Sequence, residues 1–160
     1  MISKHGKLFK RLSTNQVVCI PYNNTEQNYY TFIQNMKNEG YNQCIVTSDI
    51  MIKIIEYFIL RGSIEITSIE FMVEDEELET EIRSIVDLMK QNAGYWEVLK
   101  QKLAFLSQND SIEIKKVNFR YLEGLGALFS VQANGIIIVS ENAFNTLSNI
   151  ILQVMGDCIK

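Results

Sequence analysis

Three apolar runs rich in β-branched residues, at positions 17–20, 44–47 and 64–73, alternate with two stretches of helical periodicity, and this alternation most narrows what the chain can become. The first run stops at Pro21, which cannot donate to a sheet ladder. Asn23, Asn24 and Thr25 follow, each a good helix N-cap, with Glu26 placed to favour a helix dipole. Tyr29, Ile33 and Met36 then recur at helical spacing, with Tyr30 and Phe32 beside them, and Gly40 is the expected stop, so a helix is predicted over 25–39. After the second run, Ser48 or Asp49 caps a predicted helix over 49–61, closed by Arg61 and Gly62. Ile50, Ile54 and Phe58 form one row of it, while Met51, Ile55 and Leu60 widen the stripe until it nearly encircles the helix, which makes this helix central. A β-α-β-α-β order with short connections is the pattern of a parallel sheet with crossover helices.

The second half departs from that order. Residues 75–91 read as an amphipathic helix, with Leu78, Ile82, Ile85, Val86 and Met89 on one face and acids on the other, broken at Gly94. Residues 95–107 read as a second helix carrying Trp96, Leu99, Leu103 and Leu106, and 112–121 as a strand. Ala133-Asn134-Gly135 lies between the apolar runs 128–131 and 136–139, and Asn-Gly in that setting is a strong hairpin signal. A closing helix over 142–156 turns Phe144, Leu147, Ile151 and Val154 inward. The expected fold is therefore α/β, with α+β as the alternative. It has a mixed sheet with a parallel start, an antiparallel C-terminal hairpin and a closing helix. At 160 residues the chain fits a single domain spanning 1–160, with a basic N-terminal segment over 1–15. One Pro and eight Gly leave no linker-like stretch, and Gly124-Leu125-Gly126, lying between strands, reads as a turn or bulge.

Two segments 48 positions apart echo each other. One runs Ser63-Ile64-Glu65-Ile66-Thr67-Ser68-Ile69-Glu70-Phe71, the other Ser111-Ile112-Glu113-Ile114-Lys115-Lys116-Val117-Asn118-Phe119. Each follows a predicted helix and a turn. In each, apolar alternation slips by one residue at the middle pair, so that strict period two would put Ile64 and Ile66 opposite Ile69 and Phe71. A β-bulge at the middle pair restores one buried face; a strand covered on both sides would need none. Compositional bias toward Ile inflates such matches, and a duplicated helix–strand unit is the alternative account.

Cys19, Cys44 and Cys158 are far apart and odd in number, as expected of reduced thiols in a cytoplasmic protein. No apolar h-region and no span of bilayer length is present, so cytoplasmic placement without a membrane is expected. Abundant Ile, Asn and Lys with scarce Ala and Pro suggest an AT-rich coding source, bacterial or phage. The net charge of −4 is unevenly spread: residues 1–16 hold Lys4, Lys7, Lys10 and Arg11 and no acid, whereas 65–87 hold nine acids against Arg83. Such an acidic surface repels phosphates, leaving nucleic acid only a local basic patch built from Lys4, Lys7, Lys10, Arg11, Lys115, Lys116 and Arg120.

Reactive chemistry is sparsely supported. The single histidine, His5, lies in a basic N-terminus expected to be mobile, which argues against triads and His-based zinc sites. Glu113-Ile114-Lys115 matches the short E-x-K pattern of Mg²⁺-dependent nucleases, in which a carboxylate binds metal and Lys steadies charge. That chemistry needs a second acid, and Glu65 or Glu70 supplies it only if the two echoed strands are neighbours. The bland reading of the triplet is a solvated strand with cross-strand charge pairs. Tyr22, Asn24, Ser48 and Asp49 sit where strand ends run into helix N-termini, the usual place for a nucleotide or phosphorylated ligand in a parallel α/β fold, although no glycine-rich phosphate loop accompanies them. The acids Glu74, Asp75, Glu76, Glu77, Glu79 and Glu81 lack the spacing of a calcium loop and read as a helix face suited to a basic partner. No metal and no cofactor is expected. The leading functional expectation is a small non-catalytic interaction protein, an accessory subunit binding a protein partner or a second copy through that acidic face. An enzyme on phosphorylated ligands and a Mg²⁺ nuclease are the alternatives.

Overall fold

In a computed structural model of the chain, residues 3–123 and 126–158 are described. Their element order is β1 (Ser3–Arg11), β2 (Val17–Tyr22), α1 (Tyr29–Asn38), β3 (Tyr41–Gln43), α2 (Ser48–Arg61), β4 (Ile64–Phe71), α3 (Glu76–Gln91), α4 (Trp96–Asn109), β5 (Ile114–Tyr121), β6 (Leu128–Gln132), β7 (Ile136–Ser140) and α5 (Phe144–Cys158), with a short 3₁₀ turn before α4 and another before α5. The strands form one sheet in the order β2-β1-β7-β6-β5-β4, with β3 also paired to β1.

Every pairing among the described residues is antiparallel, which overturns the expected parallel β-α-β-α-β start. The cause is β1, a strand the periodicity does not reveal. It takes β2 along one edge, from His5 opposite Tyr22 to Lys10 opposite Val17. Its other edge is shared by β7, over Ser3 to Lys7, and β3, over Phe9 to Arg11. The runs at 17–20 and 43–47 are thus separated by β1 instead of lying side by side. Only residues 41–43 of the second region pair as a strand. The segment after them is held by bonds from Cys44 N to the Leu8 carbonyl and from Val46 N to the Ala133 carbonyl.

β1 escapes sequence reading because it lacks alternation. Five of its nine residues are Lys4, His5, Lys7, Lys10 and Arg11, and Gly6 through Phe9 are buried in succession. Helices on both sheet faces explain that burial. Phe9 and Tyr22 meet Phe32, Ile33 and Met36 of α1 in a small core, the Tyr22 and Phe32 rings stacking at 5.0 Å. Leu8, on the opposite side of β1, joins the main core formed by α2, α3, α4 and α5 against the sheet. Gly6 keeps that side thin: a Cβ there would come within 2.6 Å of Cys19 Sγ and 3.1 Å of the Phe144 ring.

The helices follow the periodicity with shifted starts. The Asn23 side chain is used in a local turn, accepting from Thr25 N and Glu26 N, and α1 begins at its cap Asn28, later than expected. Thr47, not Ser48 or Asp49, caps α2 by accepting from Ile50 N. Met51, Ile54, Ile55 and Phe58 are fully or almost fully buried, as a central helix requires, whereas Leu60 is 80% exposed. Glu56 ties α2 to α4, accepting from Trp96 Nε1 at 3.0 Å and from Lys100 Nζ at 2.6 Å. Those two hydrogen bonds hold its carboxyl below the ordinary carboxylate range.

The echoed segments are neighbours. β4 and β5 pair directly, and both carry the bulge that their slipped alternation requires: Thr67 is the extra residue on β4 and Lys115 the extra residue on β5. With the bulges, Ile64, Ile66, Ile69 and Phe71 all reach the core, as do Ile114, Val117 and Phe119. The register also maps onto itself when each residue is exchanged for its counterpart 48 positions away: Ile66 faces Phe119 and Phe71 faces Ile114, Ser68 faces Asn118 and Glu70 faces Lys116, and Ile69 faces Val117 at the centre. Each strand follows a helix, and α2 and α4 touch on the same side of the sheet. The helix–strand unit thus recurs with local two-fold symmetry.

The hairpin at Asn134-Gly135 forms as expected, with Gly135 at a φ of 82°. A Cβ at Gly135 would collide with the Cys44 carbonyl oxygen, backbone that cannot swing aside, and would lie 3.0 Å from Lys7 Nζ. Gly40 has a φ of 91° with nothing within 4 Å of its missing Cβ. Gly40→Ala should therefore cost only the left-handed penalty, about 1–2 kcal/mol. Gly135→Ala should cost clearly more, because strain and collision add. Urea denaturation of the two variants checks this, and equal midpoints would contradict it.

Candidate functional site

Three surfaces carry the residues singled out in the sequence. The first is the face of α3. Asp75 caps the helix by accepting from Leu78 N at 3.1 Å, and Glu81 pairs with Lys102 of α4 at 3.2 Å. Glu74, Glu76, Glu77 and Glu79 are exposed and have no ion pair among the described residues. Leu78, Ile82 and Val86 bury the opposite side of the helix. The sequence puts acids one turn from that apolar stripe, and packing against β4 and α4 then fixes them outward.

The second surface lies at the start of β1. Tyr22 and Asn24 line a hollow of about 400 Å³ together with Lys4, His5 and Glu141. His5 is not in a loose terminus: it pairs with Tyr22 across β1 and β2, their rings 6.4 Å apart edge to face. Burial, and then the nearby Lys116 charge, lower its pKa below 6.5. Ser48 and Asp49 do not line this hollow. Ser48 is buried, and its Oγ accepts from Ile114 N at 2.9 Å, tying the start of α2 to the start of β5. Pairing with β1 puts Tyr22 at the His5 end of that strand, whereas the 44–48 segment bonds near Leu8 and the β6–β7 turn. The four expected ligand residues are therefore split between two places. His5, set aside in the sequence, joins Tyr22 and Asn24 there. Its hidden signal was the strand that contains it.

The third group is basic. Lys7 is fully buried, and its Nζ donates to the Asn134 carbonyl in the β6–β7 turn, which removes it from any surface patch. Strand alternation sends Lys4 and Lys10 to the Leu8 side of β1, Lys4 lying 4.6 Å from the centre of the Phe144 ring. Lys116 and Arg120 occupy the other side of the sheet, where they face Glu70 at 3.9 Å and Glu65 at 3.6 Å. The seven basic residues are thus not brought together. Glu113 accepts from Ser107 Oγ at 3.0 Å, and Lys115 is the bulged residue of β5. Glu65 and Glu70 do lie on the neighbouring strand, where they pair with bases. Among the described residues no three His, Cys, Asp or Glu side chains are grouped closely enough to hold a metal ion.

Cys19 and Cys44 are free thiols. Burial raises Cys19 to about 11 and pushes Cys44 up as well, Lys7 and Lys10 pulling Cys44 the other way. Both are thereby kept as thiols near neutral pH, the less nucleophilic form. No helix among the described residues is long and apolar enough to cross a membrane. Comparison with known protein families, with curated proteins and with solved structures finds no match to the chain.

Lys7 makes a direct test of this geometry. Burial lowers its pKa from 10.5 to about 8. Between those two values the unfolded chain still holds a proton that the folded chain has released, so stability rises with pH through the window. Below it both states are charged and the cost of the buried ammonium is felt in full. The stability gap between wild type and Lys7→Met should therefore shift in favour of wild type by about 2 kcal/mol from pH 7.5 to pH 10. Parallel pH curves in urea denaturation would show that Lys7 is solvated.

Proposed function

We infer that the protein is a non-catalytic interaction subunit that engages a basic protein partner through the exposed acidic face of α3. One observation carries this reading. Glu76, Glu77 and Glu79 stand on the solvent side of a helix whose other side is locked into the core, Glu74 is exposed just ahead of its cap, and no base of their own chain is paired to any of the four among the described residues. A rigid, unneutralised array of that kind raises the association rate and selects partners of opposite charge. An accessory role in a larger assembly follows the same logic, because the helix presents charge without holding a reactive group.

A second reading has its own observation. The hollow bounded by Lys4, His5, Tyr22, Asn24 and Glu141 joins a cation and an imidazole to amide and phenol groups beside one carboxylate, and the first four are groups a small phosphorylated ligand could use. Inorganic phosphate and nucleotides in excess should then raise the melting temperature by mass action, and Lys4→Ala should remove the effect. A flat response across the panel would end that reading.

For the leading reading, the triple substitution Glu76→Lys, Glu77→Lys and Glu79→Lys should leave the fold intact, since all three side chains are exposed. It should weaken binding to the partner that copurifies with the wild-type chain at least tenfold, and wild-type binding should weaken as salt is raised. Undiminished association of the triple variant would overturn the acidic-face reading.

A further inference from the structure

β4 ends the strand order, and among the described residues only one of its edges has a strand partner. Beside its free edge runs α3, and two hollows lie between them. One, of about 180 Å³, is lined by Ile64, Glu65 and Ile66 of β4 with Val86 and Met89 of α3. The other, of about 330 Å³, is lined by Ser68, Ile69 and Glu70 with Glu79, Ile82 and Arg83. Residues from both faces of β4 line the larger hollow, which sets it at the outer edge of the strand; the smaller also takes in Gly62 and Leu122 and lies at the beginning of β4. An unpaired edge is a template for another strand, and sheets commonly blunt theirs with bulges, charge or short length. Here the Thr67 bulge divides the edge, and residues 68–71 remain as the strand beyond it, with a second register shift between Glu70 and Phe71 and exposed Met72 and Val73 in the bend that follows.

We propose that this edge receives an extended segment of a partner protein, added antiparallel or parallel to residues 68–71, with apolar and basic side chains in alternation. The inference rests on the acidic-face reading above and names the form of the partner. Side chains of an added strand point alternately to the two sheet faces. Those turned toward α3 meet Ile69 and Ile82, which asks for apolar groups. Those turned the other way run beside Glu70, with Glu74 beyond the end of the strand, which asks for Lys or Arg. Glu79 lines the same hollow from the helix. Glu70 meets Lys116 at 3.9 Å and accepts from Asn118 Nδ2 at 3.3 Å, both at Oε2, which leaves Oε1 open to a second cation. A second copy of this chain fits poorly. Antiparallel self-pairing about the middle of β4 sets Glu65 of one strand beside Glu70 of the other, like charges across a ladder.

The test uses a capped octapeptide alternating Lys and Val, two isomers of it N-methylated on every Lys or on every Val, and a block-scrambled peptide of the same composition. Amides of one residue parity point to one edge of a strand, so N-methylation of one parity blocks one edge and spares the other. The alternating peptide should bind, slow hydrogen exchange over residues 64–73, and lose at least tenfold in affinity in one N-methylated isomer but not in the other. Glu79→Lys should weaken it at least fivefold, as should Glu70→Lys. Equal binding of the parent, both N-methylated isomers and the scrambled peptide would overturn strand addition. If Glu76→Lys, Glu77→Lys and Glu79→Lys together still abolished that binding, the acidic-face reading would stand. Absence of binding by every basic peptide at millimolar concentration would overturn both. Concentration-dependent protection of 64–73 without peptide would replace the foreign segment by a second copy, and so overturn the partner named here.

Discussion

The two edges of β1 hold the molecule together. One edge takes β2, and the other is divided between β7 and β3, so that a single nine-residue strand joins the N-terminal hairpin, the C-terminal hairpin and the segment leading into α2. The backbone groups of a buried strand must find partners, and β1 satisfies them with three strands instead of one crossover unit. Helix α1 covers one face and the main helix layer the other, which is why Lys7 ends inside the protein with the Asn134 carbonyl as its acceptor. A buried ammonium is costly, and its placement against the turn carbonyl, with Gly135 leaving room beside it, reconciles the charge with the core.

At the far end of the sheet a different constraint operates. β4 and β5 each gain one bulged residue, and each thereby turns both halves of its apolar set to the helices. The register treats the two strands as equivalents under a 48-residue exchange, and α2 and α4, the helices before them, are tied through Glu56, Trp96 and Lys100. The equivalence ends at the edge. β5 is flanked by β6, whereas β4 has α3 and open space beyond it. A repeated unit thus supplies one strand to the interior of the sheet and leaves the other at its border.

Charge follows from this geometry. Five of the bases on β1 and β5 are spent within the fold: Lys7 is buried, Lys4 lies over Phe144, Arg11 lies over Tyr41, and Lys116 and Arg120 face acids of β4. The acids at the start of α3 are not matched in this way, apart from the cap Asp75 and the paired Glu81. The outward field of the protein is therefore concentrated beside the β4 edge of the sheet, one of its two edges without a further strand among the described residues. A functional reading based on partner recognition draws on both features at once, the charge and the open backbone.

Local chemistry alone was enough for the amphipathic helices and for the hairpin at Asn134-Gly135, because each depends on neighbours a few residues away; it also marked the slipped alternation in 63–71 and 111–119, where the strand pairing decided for a bulge over cover on both faces. The acids of α3 were legible as an exposed face for the same reason. Strand β1 was not, since its Lys, His and Arg residues break any period of two and its burial comes from helices on both sides. With β1 unseen, a β-α-β-α-β order implied parallel neighbours, and the 1–15 segment looked like a loose basic tail. Ser48 showed the same limit: a residue suited by type to bind a ligand instead closes a hydrogen bond to Ile114, 66 positions away. Which strand stands at the edge, which lysine is buried and which carboxylates stay unpaired depend on contacts between distant parts of the chain, and only the tertiary structure decided them.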